Sequence, residues 1–150
     1  MIKIILADSM EYLDSIVDFQ KEMAIETESI VLKHEKIYSG ISTALGDPSI
    51  AKYYLAFMGD EFVGMLMTQT EWSDWRSSKM IWIHSVFVKK EFRGKGVYKS
   101  LYHHIENLVK SSSEYCGIRL YVDKTNVSAQ KVYRSLGMKN EHYELFEWLK

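Results

Sequence analysis

The sequence predicts an α/β fold of the mixed α+β kind: one mixed sheet with helices on both faces, in the order β-α-α-β-β-β-α-β-α-β. Three observations predict it. Short β-branched runs, at 2–6 and 117–122, are separated by stretches of helical period, such as Leu13, Ile16, Val17, Gln20, Met23 and Ala24. The run from Ser85 to Tyr98 passes from an apolar strand through a basic glycine turn into an amphipathic helix. A length of 150 residues with 47% hydrophobic suits one domain with its own core.

Each element has a local reason. The first strand is 2–6. Asp8 with Glu11 three residues later is a helix-starting box, which places helix one at 9–25. A weaker helix follows at 30–45, interrupted at Gly40 and stopped by Gly46-Asp47-Pro48. Strands at 53–58 and 62–70 flank the turn signal Gly59-Asp60 and form a hairpin. The polar run 73–78 leads into a strand at 80–88. Val97, Leu101, Ile105 and Leu108 stripe the next helix, and 117–122 is a buried-type strand. A helix at 126–136 ends on Gly137, and the alternating segment 141–149 closes the chain as a strand.

Composition excludes several classes. A formal charge of -1 does not favour nucleic acid as a partner. One cysteine, Cys116, allows neither an intrachain disulfide nor a cysteine-rich metal site. The adjacent His103 and His104 point to different sides of their helix, with no further ligand at useful spacing, so no metal is expected. No apolar run is long enough to span a bilayer and no signal-peptide pattern stands at the N-terminus, so the expectation is a cytoplasmic protein without a membrane partner.

The stretch that carries chemistry is Arg93-Gly94-Lys95-Gly96-Val97-Tyr98 after Val86-Phe87-Val88. A glycine turn at a helix N-terminus presents unpaired N–H groups and the positive end of the helix dipole, which together suit phosphate, while the spacing alone fits an ordinary surface turn equally well. The dinucleotide pattern G-x-G-x-x-G fails because Lys99 holds the third glycine position, and the nucleoside-triphosphate loop fails as well.

This turn resembles the pyrophosphate loop of the GNAT superfamily of acyl-CoA-dependent N-acyltransferases, Arg/Gln-x-x-Gly-x-Gly/Ala. Arg93 and Gly96 match, and Tyr98 stands where the family has a small residue. A second stretch, from Asn126 to Met138, resembles the family's Asn-x-x-Ala-x-x-x-Tyr-x-x-x-Gly-Phe segment. Asn126, Ala129, Tyr133 and Gly137 match and Met138 replaces Phe. The pair, in the expected order, is far more specific than either motif alone. The resemblance runs over nearly the whole chain, more thinly over the first third.

The resemblance implies one domain over 1–150 with a mostly antiparallel sheet. It also implies direct transfer of an acetyl group from acetyl-CoA, as co-substrate, to a primary amine, without a covalent enzyme intermediate. That reaction needs the amine deprotonated, the oxyanion stabilised and the leaving thiolate protonated. By resemblance, the backbone groups of Val86 and Val88 hold the thioester and pantetheine arm, and Arg93, Gly94, Lys95, Gly96, Val97 and Tyr98 hold the phosphates. Tyr133 donates the proton to the thiolate; periodicity alone also fits a packing tyrosine in register with Ala129 and Leu136. Asn126 bonds the pantetheine, caps its helix, or does both. For the general base, His84 falls near the place of a family Glu, with Glu71, Glu28 or an ordered water as rivals; a lone strand histidine more often reads as a packed, hydrogen-bonded residue.

Glu71-Trp72-Ser73-Asp74-Trp75-Arg76 resembles a run in a bacterial subgroup of the family. Tryptophans beside the carboxylates Glu71 and Asp74, with the acidic patch Glu22, Glu26 and Glu28, suggest a small cationic amine as acceptor. The same stretch also reads as a hairpin whose tryptophans pack on the sheet. The acceptor-binding candidates are Glu28, Trp72 and Asp74. A protein amine as acceptor and a non-catalytic acyl-CoA-binding module are the alternatives. The family often dimerises, and Tyr143, Phe146 and Trp148 suit either a homodimer contact or the core.

Overall fold

The computed structural model describes all residues, Met1–Lys150. By contact density the chain divides into two compact units, Met1–Leu120 and Tyr121–Lys150.

The first unit is an open five-stranded sheet in the order β1-β2-β3-β4-β5 with three helices. The strands are β1 (Ile2–Leu6), β2 (Lys52–Met58), β3 (Glu61–Ser73), β4 (Ser78–Val88) and β5 (Tyr115–Leu120). β1 to β4 pair antiparallel, while β4 and β5 pair parallel. A parallel pair needs a long crossover, and the helix α3 (Val97–Ser111) supplies it.

The helices α1 (Leu13–Glu28) and α2 (His34–Gly46) lie on one face. Leu13, Ile16, Val17, Phe19, Ile41 and Ala44 pack there against Tyr53, Leu55, Met65 and Phe87. Burying each of the leucine, isoleucine, valine, phenylalanine and methionine side chains among them stabilises by about 1.5–3 kcal/mol. Successive strand residues alternate faces, so Gly64 and Leu66 turn to the opposite side, where α3 lies. A Cβ on Gly64 would meet Val97, and Tyr54 touches His104. α3 buries Val97, Leu101, Tyr102 and Ile105.

Helix one starts later than expected. Ser9 leads into a 3₁₀ turn at Met10–Tyr12 with no side-chain cap, so the Asp8–Glu11 box does not form. It also runs past residue 25. Ser29 at φ 56° ends it, with Ser29 and Ile30 N–H groups bonded to the Ile25 and Ala24 carbonyls. Gly40 does not interrupt α2, since the periodic stripe continues through it. The β3–β4 hairpin is longer than 62–70 and 80–88, pairing out to Ser73 with Ser78.

The second unit holds one helix, α4 (Val127–Ser135). The strand expected at 141–149 is not there: residues 139–150 form no helix or strand. Alternating apolar residues signal one-sided burial, but a strand also needs a ladder partner, and residues 121–150 contain no other strand. No helix of the chain is long and apolar enough to cross a membrane.

Candidate active site

β4 is bent where it approaches the glycine turn. Met65 pairs Phe87 and Met67 pairs His84, so β4 carries one extra residue opposite β3. The bulge falls at Ser85, whose φ of 50° is left-handed for a residue with a Cβ and costs roughly 1–2 kcal/mol. Beyond it, the Lys89 N–H donates to the Val63 carbonyl of β3 at 2.9 Å. By alternation the backbone groups of Val88 and Val86 are directed away from β3. β5 pairs with β4 only as far as Ile83 with Leu120. The end of β4 thus turns the backbone of Val86 and Val88 toward the side where the β5 ladder stops.

After β4, a 3₁₀ turn at Lys90–Phe92 leads to Gly94 at φ 74° and Gly96 at φ 82°. Gly96 is the N-cap of α3 and brings no capping side chain. The Ser100 N–H donates to the Gly96 carbonyl, so the N–H groups before it have no acceptor within the helix. Lys95 sits over the Phe92 ring at 4.9 Å, leaving its charge beside the turn. The first helical residue, Val97, is buried, and the Tyr98 ring lies 6.4 Å from that of Tyr102.

Arg93 faces α1. Its guanidinium pairs with both Glu26 oxygens, at 2.5 and 2.8 Å, and its Nε donates to the Val88 carbonyl at 2.9 Å. The Arg93 contact holds Glu26 below the ordinary carboxylate range, and Glu26 raises Arg93 in turn.

The register puts Met67, Gln69 and Glu71 of β3 on the face that carries α1 and α2, opposite His84, Trp82 and Met80 of β4. Arg119 of β5 lies beside Trp82. Glu71 accepts from Trp82 Nε1 at 3.1 Å and from Arg119 at 3.2 Å, tying three strands together. The Trp82 ring runs nearly parallel to His84, 9° apart at 6.1 Å. Burial holds the His84 imidazole below the usual histidine range, which favours the uncharged ring.

Strand alternation separates the residues that the sequence read as one cluster. Trp72 follows Glu71 on β3 and so belongs to the opposite face. Asp74 accepts from the Trp75 N–H at 2.9 Å inside the hairpin loop. Glu28 is the exposed last residue of α1. The partners of Glu71 are Trp82 and Arg119, which sequence reasoning passed over. The one available signal was Trp82 two residues before His84, hence on the same face. His103 bonds Glu106 while His104 lies against Tyr54, so the two imidazoles do diverge.

In the second unit, the Asn126 side chain accepts from the Ala129 N–H at 3.0 Å and caps α4. Tyr133 is in the last turn of α4. Gly137 at φ 85° ends the helix, with the Met138 N–H bonded to the Tyr133 carbonyl.

Comparison with known proteins bears on this geometry. Residues 13–138 match the acetyltransferase (GNAT) family. A possible acetyltransferase from Clostridium difficile 630 superposes with a TM-score of 0.92 at 36% identity, covering 100% of this chain and 98% of the other. A predicted acetyltransferase with acetyl-CoA from Clostridium acetobutylicum has a TM-score of 0.75 at 16% identity, covering 100% and 95%. An aminoglycoside acetyltransferase from an uncultured soil metagenomic sample, in complex with trehalose, has a TM-score of 0.79 at 14% identity, covering 99% and 97%. At those two lower identities the likeness is one of fold. Comparison with functionally curated proteins gives no significant match. The match over 13–138 spans the bulged strand, the glycine turn and the capped helix of the second unit, and the chain belongs to the GNAT acetyltransferase family.

Proposed function

We propose that residues 1–150 act as one catalytic domain that transfers an acetyl group from acetyl-CoA to the primary amine of a small cationic molecule. The observation that carries this reading is the bulged end of β4 running into a glycine turn at the N-terminus of α3. Backbone donors suited to an acyl-thioester arm thus lead directly to backbone donors suited to a phosphate.

The residues present fit the cosubstrate. The backbone of Val86 and Val88 holds the pantetheine arm. The amides of Gly94, Lys95, Gly96, Val97 and Tyr98, with the Lys95 charge, hold the pyrophosphate. Asn126 keeps its cap and adds a contact to the arm. Acetyl-CoA supplies an electrophilic thioester carbonyl when bound.

His84 removes the proton from the attacking amine. Its lowered basicity favours the uncharged imidazole. Glu71 has both oxygens engaged by Trp82 and Arg119, which ties it to the sheet rather than to the amine. Tyr133 gives its phenolic proton to the departing sulfur. The exposed carboxylate Glu28, at the end of α1, meets the acceptor's positive charge; Asp74 lies beyond the opposite end of β4, and the Trp82 ring already has the Arg119 guanidinium over it.

Calorimetric titration with acetyl-CoA, and separately with ATP and NAD, tests the cosubstrate. Micromolar binding of acetyl-CoA alone is the expected result. Binding of ATP or NAD with equal strength, or of none of the three, would sink the reading. An amine screen following CoA release then tests turnover, and binding without release by any amine would leave a carrier rather than an enzyme.

A further inference from the structure

Two features of the Arg93–Glu26 pair do not follow from a simple phosphate loop. Arg93 belongs to the turn, yet both its terminal nitrogens are engaged by a carboxylate from α1, 67 residues away in the chain. Glu22 and Glu91 add negative potential at the same guanidinium. An anionic ligand approaching the turn therefore meets a cation already neutralised, with carboxylates beside it. The pair is also accessible, at 40% and 41% side-chain exposure, so a phosphate can reach it and exchange with Glu26.

We propose that Glu26 sets the affinity for the phosphate-bearing cosubstrate by occupying Arg93 as an internal stand-in for phosphate. In the free protein the guanidinium bridges α1 to the end of β4. When a pyrophosphate arrives, the terminal nitrogens pass from Glu26 to the phosphate oxygens, while Nε keeps its bond to the Val88 carbonyl. Guanidinium binds carboxylate and phosphate with the same two-pronged geometry, which makes the exchange chemically even. The freed carboxylate is at the end of α1, three residues before the Ser29 that terminates it.

The proposal rests on the acetyl-CoA reading, and the experiment separates the two. Wild-type protein, Glu26→Gln, Glu26→Ala, Arg93→Gln and the Arg93→Gln/Glu26→Gln double variant are titrated by calorimetry with acetyl-CoA and with S-acetylpantetheine, which lacks the phosphates. The expected result is acetyl-CoA binding that is about 1.5-fold to fivefold tighter in both Glu26 variants at low salt, the range of an exposed ion pair. That gain shrinks at high salt and is absent for S-acetylpantetheine. In the Arg93→Gln background the Glu26→Gln change has no further effect. Equal or weaker acetyl-CoA binding in the Glu26 variants, or the same gain without Arg93, overturns the proposal and makes the pair a strut. Failure of the wild-type protein to bind acetyl-CoA at all strikes the cosubstrate reading instead.

Discussion

Gly64→Ala is a sharp test of how the sheet holds the glycine turn. Gly64 pairs with Val88 on β4, and a Cβ there would come 2.9 Å from Val97 Cγ1, 3.2 Å from the Phe87 carbonyl and 3.3 Å from Val88 Cγ2. Val97 is the first residue of α3 and is 2% exposed, so it has no room to retreat. One methyl forced into such a site costs about 1–3 kcal/mol. Against that, replacing glycine stiffens the unfolded chain and returns roughly 0.4–1 kcal/mol. The net expectation is a loss of about 1–2 kcal/mol. Urea unfolding should show a lower midpoint at unchanged slope. Val97→Ala alone should also destabilise, by about 1–3 kcal/mol, because it empties a buried site. In the double variant the new methyl occupies the space the valine gave up, so the combined loss should fall at least about 0.5 kcal/mol short of the sum. A Gly64→Ala protein as stable as wild type, or strict additivity, would show that α3 does not seat on Gly64.

The other predictions concern the site. His84 should give a kcat/KM that rises with pH through a value below the ordinary histidine range and then levels, because burial disfavours the imidazolium. His84→Gln should remove that limb, and an unaltered profile would place the base elsewhere. The same depression links to stability with a definite sign. Below the unfolded-state value the unfolded chain binds the proton more readily, so folding is weakened as pH falls and the penalty vanishes above about pH 6.5. Tyr133→Phe should lower kcat by about tenfold to a hundredfold with little change in acetyl-CoA affinity, the signature of a lost proton donor; unchanged turnover would remove the role. Gly96→Asp should weaken acetyl-CoA binding at least about tenfold, since it adds a negative charge at the anion site and forces a side chain onto φ 82°. Intact affinity in a titration would refute the turn as the phosphate site.

Local chemistry carried the parts that were legible in the sequence. The glycines at 94 and 96, the cap at Asn126 and the stop at Gly137 each announce a backbone geometry that few other residues permit, and each takes that geometry. Periodicity in consecutive residues locates the five strands of the sheet, but the same signal at 141–149 points to a strand that does not form. The bulge at Ser85 is not legible, since serine carries no mark of a left-handed φ. Its effect is large nonetheless. Without the extra residue, His84 and Phe87, three apart, would fall on opposite faces; with it, both lie on the face shared with Met65 and Met67.

What the sequence could not show is which polar residues meet. Glu71 and Trp72 are adjacent in the chain and separated by the pleat, whereas Glu71, Trp82 and Arg119 come from three strands and share one carboxylate. The same holds for Arg93. As a motif residue it reads as a free cation for phosphate, but the guanidinium also fits a carboxylate, and the C-terminal turn of α1 brings one within 2.5 Å. A motif specifies the backbone that can bind an anion. How strongly it binds depends on charges brought in by the tertiary fold, and for this chain the nearest of those charges is negative.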